Sequence, residues 1–351
     1  IYLGFGARAV LNPATALVVC AGFPGFAEHK QTTLVSKVMS KTFSMVFPGQ
    51  GSQSVGMLAD LAQEFGCVGE SFSEASSVLS MDLWQLVQEG PAEDLNKTRN
   101  TQPAMLAAGV AVWRAWQEAG GPLPAHMAGH SLGEYTALVC SGALAFPDAV
   151  GLVAERGRLM QEAVPEGQGA MAAILGLDDD QVRAVCEEAA AGDVVEAVNF
   201  NAPGQVVIAG SAVAVDRAVE LAKKAGARRA LPLPVSVPSH CSLMHPAAEK
   251  LAQRLAEVKV SKPQIPVIHN VNAASESDAA RIRELLAAQL HSPVRWVESI
   301  EVIRDAGDRL VLEAGPGKVL TGLTKRIDKS VAGLAVFDAA GIQAARQEID
   351  A

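Results

Sequence analysis

From Phe43 onward, short apolar runs alternate with longer stretches whose apolar residues recur every three or four positions. Few folds satisfy that alternation, because strands separated by helices must return across a sheet and pair in parallel. The pattern predicts strands at 43–47, 127–130, 170–177, 194–199, 205–209, 229–235, 266–270 and 309–313. Helices are predicted at 57–64, 103–119, 134–141, 147–163, 179–190, 212–225, 246–258, 279–290 and 296–306. From about 162 to 242 the order is strand, helix, strand, strand, helix, strand, which is that of a ferredoxin-like unit. At 351 residues the chain exceeds the ~150 typical of one domain, so the unit reads as an insertion. The expected fold class is α/β: a larger α/β-hydrolase-like parallel-sheet domain over 41–161 and 243–351, with an inserted ferredoxin-like subdomain over 162–242. A cleft is expected between the two.

Composition narrows the partners. A net charge of -9 supplies no overall attraction for nucleic acid, so an acidic partner needs a local basic patch. Lys223, Lys224, Arg228 and Arg229 form one such cluster. Five scattered cysteines, Cys20, Cys67, Cys140, Cys186 and Cys241, contain no C-x-x-C pair, which indicates reduced thiols, a cytoplasmic setting and no zinc site. The apolar patch at 14–22 is too short to span a bilayer, and no membrane association is expected. Residues 1–40 lack the periodicity of the rest and are expected to be a leader outside the fold, with Met39 opening the run into the first strand.

Gly129-His-Ser-Leu-Gly133 joins a predicted strand to a predicted helix. A serine on such a turn has its hydroxyl thrust away from the backbone, and flanking glycines tolerate the cramped dihedrals, so Ser131 is the candidate nucleophile. Two other glycine-rich loops fail as nucleotide sites. Gly49 and Gly51 are followed by Ser54 where a dinucleotide fingerprint needs glycine, and 312–319 has Leu312 and Val319 where a phosphate loop needs Gly and Ser or Thr. The first of them nevertheless offers Gln50 at the end of the first strand. A serine nucleophile needs a base. His240, in the proline-fixed loop Val237-Pro-Ser-His-Cys241, is the leading candidate; His245, His269 and His291 compete on residue chemistry alone. His130 is expected to point off the opposite side of the strand from Ser131.

Taken together, FPGQGSQ (47–53), TQPA (101–104), GHSLGEY (129–135), ERGR (155–158), PSH (238–240) and GPGKVLTGL (315–323) stand in the order and spacing of the malonyl-CoA:acyl carrier protein transacylases of bacterial fatty acid synthesis. The resemblance runs from about 43 to 327, extends to filler such as Asp82-Leu83-Trp84 and Gly90-Pro91-Ala92-Glu93, and fades beyond 328. It implies that Ser131 is acylated and that His240 is its general base and later its acid. It also implies that a carbonyl at Gln289 orients His240, that the amides of Leu132 and Gln50 form the oxyanion hole, and that Arg156 forks onto the malonyl carboxylate. Elsewhere such an arginine would pair with Glu155 or Glu162 on its own helix.

Malonyl-CoA and an acyl carrier protein are the implied substrates, exchanged by ping-pong through an acyl-serine in a monomeric enzyme. Neither metal nor cofactor is expected, because one thioester is made from another of similar energy. An acyltransferase of the same family with another acyl preference is the next reading. A serine esterase or thioesterase would instead place its histidine late in the chain, at His269 or His291. A non-catalytic scaffold would form no acyl-serine.

Overall fold

A computed structural model describes residues 41–235 and 237–351; the expected leader, with Cys20 and His29, lies outside them. The described chain opens with β1 (Phe43–Phe47), followed by five helices: α1 (Ala59–Glu64), α2 (Gly66–Leu79), α3 (Leu83–Glu89), α4 (Ala92–Leu95) and α5 (Thr98–Glu118). Then come β2 (His126–Gly129), α6 (Gly133–Cys140) and α7 (Phe146–Ala163). A second sheet is laid down by β3 (Gly169–Leu175), α8 (Asp179–Ala190), β4 (Val195–Ala202), β5 (Gln205–Ser211), α9 (Ala212–Lys224) and β6 (Arg229–Pro232). The chain returns through α10 (His245–Glu257), β7 (Val267–Ile268), α11 (Ala279–Ala288), α12 (Trp296–Asp305), β8 (Leu310–Ala314), α13 (Val319–Ile327), β9 (Ala332–Val336) and α14 (Ala339–Asp350).

The first sheet is parallel throughout, in the order β7-β2-β1-β8-β9. Helices cover both of its faces, which is why the central strands β1 and β8 are buried at every residue and read as unbroken apolar runs. The second sheet is antiparallel in the order β4-β5-β3-β6, and with its two helices it has the ferredoxin-like arrangement. Its helix side is built by periodicity: Ala214, Val215, Ala218, Val219 and Ala222 of α9 pack with Val182, Val185, Cys186 and Ala189 of α8 over Ile174 and Ile208. The start of α8 is fixed by a capping box between Asp178 and Gln181. The other side of this sheet, with Met171, Val198, Val207 and Ala209, packs on Cys241, the residue after His240.

One expectation is corrected. The predicted strand 229–235 stops at Pro232, because Pro232 and Pro234 have no amide to donate to a ladder. Beyond 328, β9 adds the fifth strand and α14 buries Ile342, Ala345 and Ile349 in the main core.

Candidate active site

The carboxyl ends of parallel strands are where an open α/β sheet leaves room for a ligand, and three of them converge here. Phe47 ends β1 beside Gly129, which ends β2. The backbones then approach so closely that side chains are impossible: a Cβ on Gly133 would lie 2.0 Å from the Phe47 carbonyl oxygen, and one on Gly129 would lie 1.8 Å from the Gly133 carbonyl carbon. Between these glycines Ser131 is held at φ 52°, in the left-handed region that costs a non-glycine residue about 1 kcal/mol or more. Its amide donates to Asn270 Oδ1 (2.7 Å), while Asn270 Nδ2 donates to the Gly129 carbonyl (2.7 Å). Asn270, just past β7, thus clamps both sides of the turn.

Ser131 Oγ lies 2.8 Å from His240 Nε2, and His240 Nδ1 donates to the Gln289 carbonyl at 2.7 Å. That second bond fixes the tautomer, leaving Nε2 free to accept the serine proton. His240 is itself at φ 69°, in the loop that leads out of the antiparallel sheet, and its amide donates to the Leu290 carbonyl. Burial, followed by the neighbouring Arg156 charge, pushes the imidazole down to about 3, so at neutral pH it is an unprotonated acceptor. His269 and His291 are engaged elsewhere: His269 Nδ1 donates to Glu134 at 2.7 Å, and His291 stacks on His245 at 3.9 Å between ring centroids.

Arg156, on α7, is 1 % exposed and is turned inward. Its Nη2 donates to Ser131 Oγ (3.3 Å) and to Gln289 Oε1 (3.0 Å), its guanidinium lies 5.4 Å over the Tyr135 ring, and its Nε has no partner among the described residues. Glu155 and Glu162 are both taken by Arg158, two residues along the same helix and facing solvent. Among the described residues no carboxylate forms an ion pair with Arg156. A cation buried without a carboxylate partner is chemically suited to receive an anion. Beside it is a cavity of about 120 Å³, lined by Gln102, Met160, Met171, Leu233 and His240 among others, with room for a short acyl group. Neither the Leu132 nor the Gln50 amide has a protein acceptor among the described residues, and Leu132 caps the N-terminus of α6. The Gln50 side chain reaches Thr98 Oγ1 at 3.4 Å.

His130 corrects an expectation. It lines this same cavity, its Nε2 donating to Asn201 Oδ1 (2.8 Å), with its ring 5.5 Å from Trp296. Alternation of side chains applies only within a strand; β2 ends at Gly129, so the turn decides where His130 points.

Residues 44–347 match the family model for the acyl transferase domain. The malonyl CoA-acyl carrier protein transacylase of Salmonella typhimurium is 59% identical over 303 residues, covering 86% of this chain and 98% of that protein. The chain belongs to this transacylase family. Among solved structures, the transacylase from Coxiella burnetii superposes with TM-score 0.89 at 51% identity, covering 90% of this chain and 100% of that one. A malonyl-transacylase in complex with its type II PKS acyl-carrier protein superposes with TM-score 0.87 at 58% identity, covering 88% and 99%. This chain is therefore an acyltransferase enzyme with the family's two-sheet fold.

Sequence reasoning missed the polar layer beneath this acyltransferase's site. Glu134 is fully buried and accepts from His269 Nδ1, from the Asn270 amide (2.9 Å) and from Gln289 Nε2 (2.8 Å). Asn201 and Asn270 were equally unmarked, since their partners His130 and Ser131 lie far away in the sequence. Glu134 did carry a signal: it is the one charged residue in a short helix, GEYTALVC, whose other residues are uncharged and mostly apolar. Among the described residues no group of three His, Cys, Asp or Glu side chains is placed to hold a metal ion, and no helix is long and apolar enough to cross a membrane.

Proposed function

We propose that the enzyme carries the malonyl group from malonyl-CoA to the pantetheine thiol of an acyl carrier protein through a malonyl ester on Ser131. The observation that carries this reading is the placement of one buried guanidinium, with no direct ion pair among the described residues, 3.3 Å from the same Ser131 oxygen that His240 contacts at 2.8 Å. A hydroxyl poised next to an anion receptor suits an acyl group that ends in a carboxylate.

In the first half-reaction Ser131 Oγ attacks the thioester carbon as its proton passes to His240 Nε2. The oxyanion forms against the free amides of Leu132 and Gln50, where the helix dipole of α6 adds to the field. The Gln289 carbonyl, in place of a carboxylate, holds the imidazolium. Collapse expels the CoA sulfur, which takes the proton back from His240. The carrier thiol then repeats the sequence in reverse: it gives its proton to His240, attacks the ester, and Ser131 Oγ leaves with that proton. Arg156 pairs with the malonyl carboxylate throughout. No nucleotide or metal is called for, since one thioester replaces another. The described cysteines are free thiols, which suits the cytoplasm.

Intact mass after incubation with malonyl-CoA tests the reading: a malonyl adduct should appear, and should vanish when carrier protein is added. An adduct lost to water at the same rate without carrier would make the protein a hydrolase instead.

A further inference from the structure

Gln289 serves the site twice, with its backbone and with its side chain, and the side chain is ambiguous by shape. A half-turn about its last bond exchanges oxygen and nitrogen at almost no steric cost. The surroundings decide which way it faces. On one side are three acceptors: Glu134 Oε2 (2.8 Å), the Ser131 carbonyl (3.0 Å) and Asn270 Oδ1 (3.5 Å), whose oxygen is identified by the Ser131 amide that it accepts. On the other side is Arg156, which can only donate, and which meets Oε1 at 3.0 Å.

We infer that Glu134 is a positioning residue for acyl selectivity: it locks the Gln289 amide in the one orientation that offers Arg156 an acceptor and so aims the guanidinium at the acyl pocket. The inference rests on the proposed malonyl transfer. Glu134 touches no substrate atom. It is the strongest of the three acceptors because it is the charged one, and it is held in turn by His269 Nδ1 and the Asn270 amide. Without it the amide can flip and present N–H to N–H at Arg156, and the guanidinium has to swing away.

The arrangement also foretells what a conservative change does. In Glu134→Gln the new oxygen can remain facing Gln289 and the Asn270 amide, with the new NH₂ toward His269. His269 then moves its proton to Nε2, a buried nitrogen with no partner among the described residues in either tautomer. The orientation of Gln289 survives, and so should selectivity.

The test compares kcat/KM for malonyl-CoA and acetyl-CoA with one carrier protein in four forms: wild type, Glu134→Gln, Glu134→Ala and Gln289→Met, the last keeping the backbone carbonyl that His240 needs. Glu134→Ala and Gln289→Met should each lower the malonyl-to-acetyl ratio about tenfold, and the double variant no further, because the two act in one line. Glu134→Gln should stay within about threefold of wild type. Gln289→Met keeps the inference open to test if Glu134→Ala does not fold. Equal losses for both acyl groups, an additive double variant, or a Glu134→Gln as unselective as Glu134→Ala would overturn the role of Glu134 while leaving malonyl transfer intact. A wild type that takes no malonyl at all would overturn both.

Discussion

The two sheets of this enzyme divide the work unequally. The parallel sheet brings strand ends together, and from those ends come Gln50, Ser131 and Asn270, with Arg156 and Gln289 contributed by the helices and turns packed around it. The antiparallel sheet has no such convergence, because its neighbouring strands end on alternate sides. It offers a surface instead: Met171 and the backbone-linked Leu233 form an apolar wall of the cavity, Asn199 lines it from β4, and Asn201 on the same strand holds His130. Only His240 belongs to neither, standing in the chain that leads from one to the other. A parallel sheet concentrates reactive groups at a point; an antiparallel one closes the space over them. The division is testable, because damage to the first should appear in chemistry and damage to the second in recognition.

Its sharpest test is at Ser131. Ser131→Ala removes the hydroxyl proposed to carry the acyl group, and no adduct should be detectable by mass. His240→Ala should leave an adduct that forms ~10² to 10⁴ times more slowly, the usual cost of losing a general base. If His269→Ala or His291→Ala were as damaging with the fold intact, the chemistry would not reside where the strand ends converge.

Arg156→Ala is the next largest. A hydrogen bond to a charged group is worth roughly 1.5 to 3 kcal/mol, about one to two powers of ten at ~1.4 kcal/mol per decade. Malonyl transfer should fall by that factor, and acetyl transfer, which asks nothing of the guanidinium, should fall far less. The same factor for both would make Arg156 a packing residue.

Arg156 also explains how much of the site could be read from the chain. Ser131, Leu132 and Gly133 are local: glycine spacing on a strand-to-helix turn dictates them, and the structure keeps that turn within one residue of its expected place. The alternation of apolar runs likewise placed the helices from Asp179 to Asp305 closely. What periodicity cannot reach is the choice between Arg156 and Arg158, two residues apart on one helix, of which one is buried at Ser131 and the other pairs with Glu155 and Glu162 in solvent. The resemblance to a family supplied that distinction. Neither route revealed Glu134 or Asn270, whose partners lie more than a hundred residues away.

A smaller effect follows from the imidazole. His240 is held down to about 3 by burial first and by Arg156 second. The acid limb of kcat/KM, which reports free enzyme, should therefore lie well below the ordinary histidine value of ~6.5. Once malonyl is bound its carboxylate offsets Arg156, so the acid limb of kcat should lie higher than that of kcat/KM with malonyl-CoA and not with acetyl-CoA. Stability carries the same sign. The folded value is below the unfolded one, so the unfolded chain binds the extra proton; this contribution is whole above about 6.5 and is lost as pH falls from there toward about 3. Urea titrations across that window should show a shallower slope for His240→Gln. A slope equal to wild type would mean that His240 is not the group being titrated.

The smallest effect belongs to the second sheet and to the carrier protein. Lys223 and Lys224 end α9, and Arg228 and Arg229 lead into β6, the edge strand, where both are exposed. Lys223 is already paired with Glu220 at 2.7 Å, whereas Arg228 and Arg229 have no ion pair among the described residues. If an acidic carrier docks on this face, Arg228→Glu or Arg229→Glu should raise its KM about two- to fivefold, in line with ~0.2 to 1 kcal/mol for an exposed pair, and Lys223→Glu should do less. The effect should shrink from low salt to ~0.15 M, where the Debye length is about 8 Å, and acylation by malonyl-CoA should not change. Reversals at Lys223, Lys224, Arg228 and Arg229 that all leave the carrier KM untouched would move docking off this face. A reversal that instead slowed the first half-reaction in step with the second would tie the antiparallel sheet to both acyl donors, and the contrast between a reactive sheet and a covering one would have to be redrawn with the small sheet binding CoA as well.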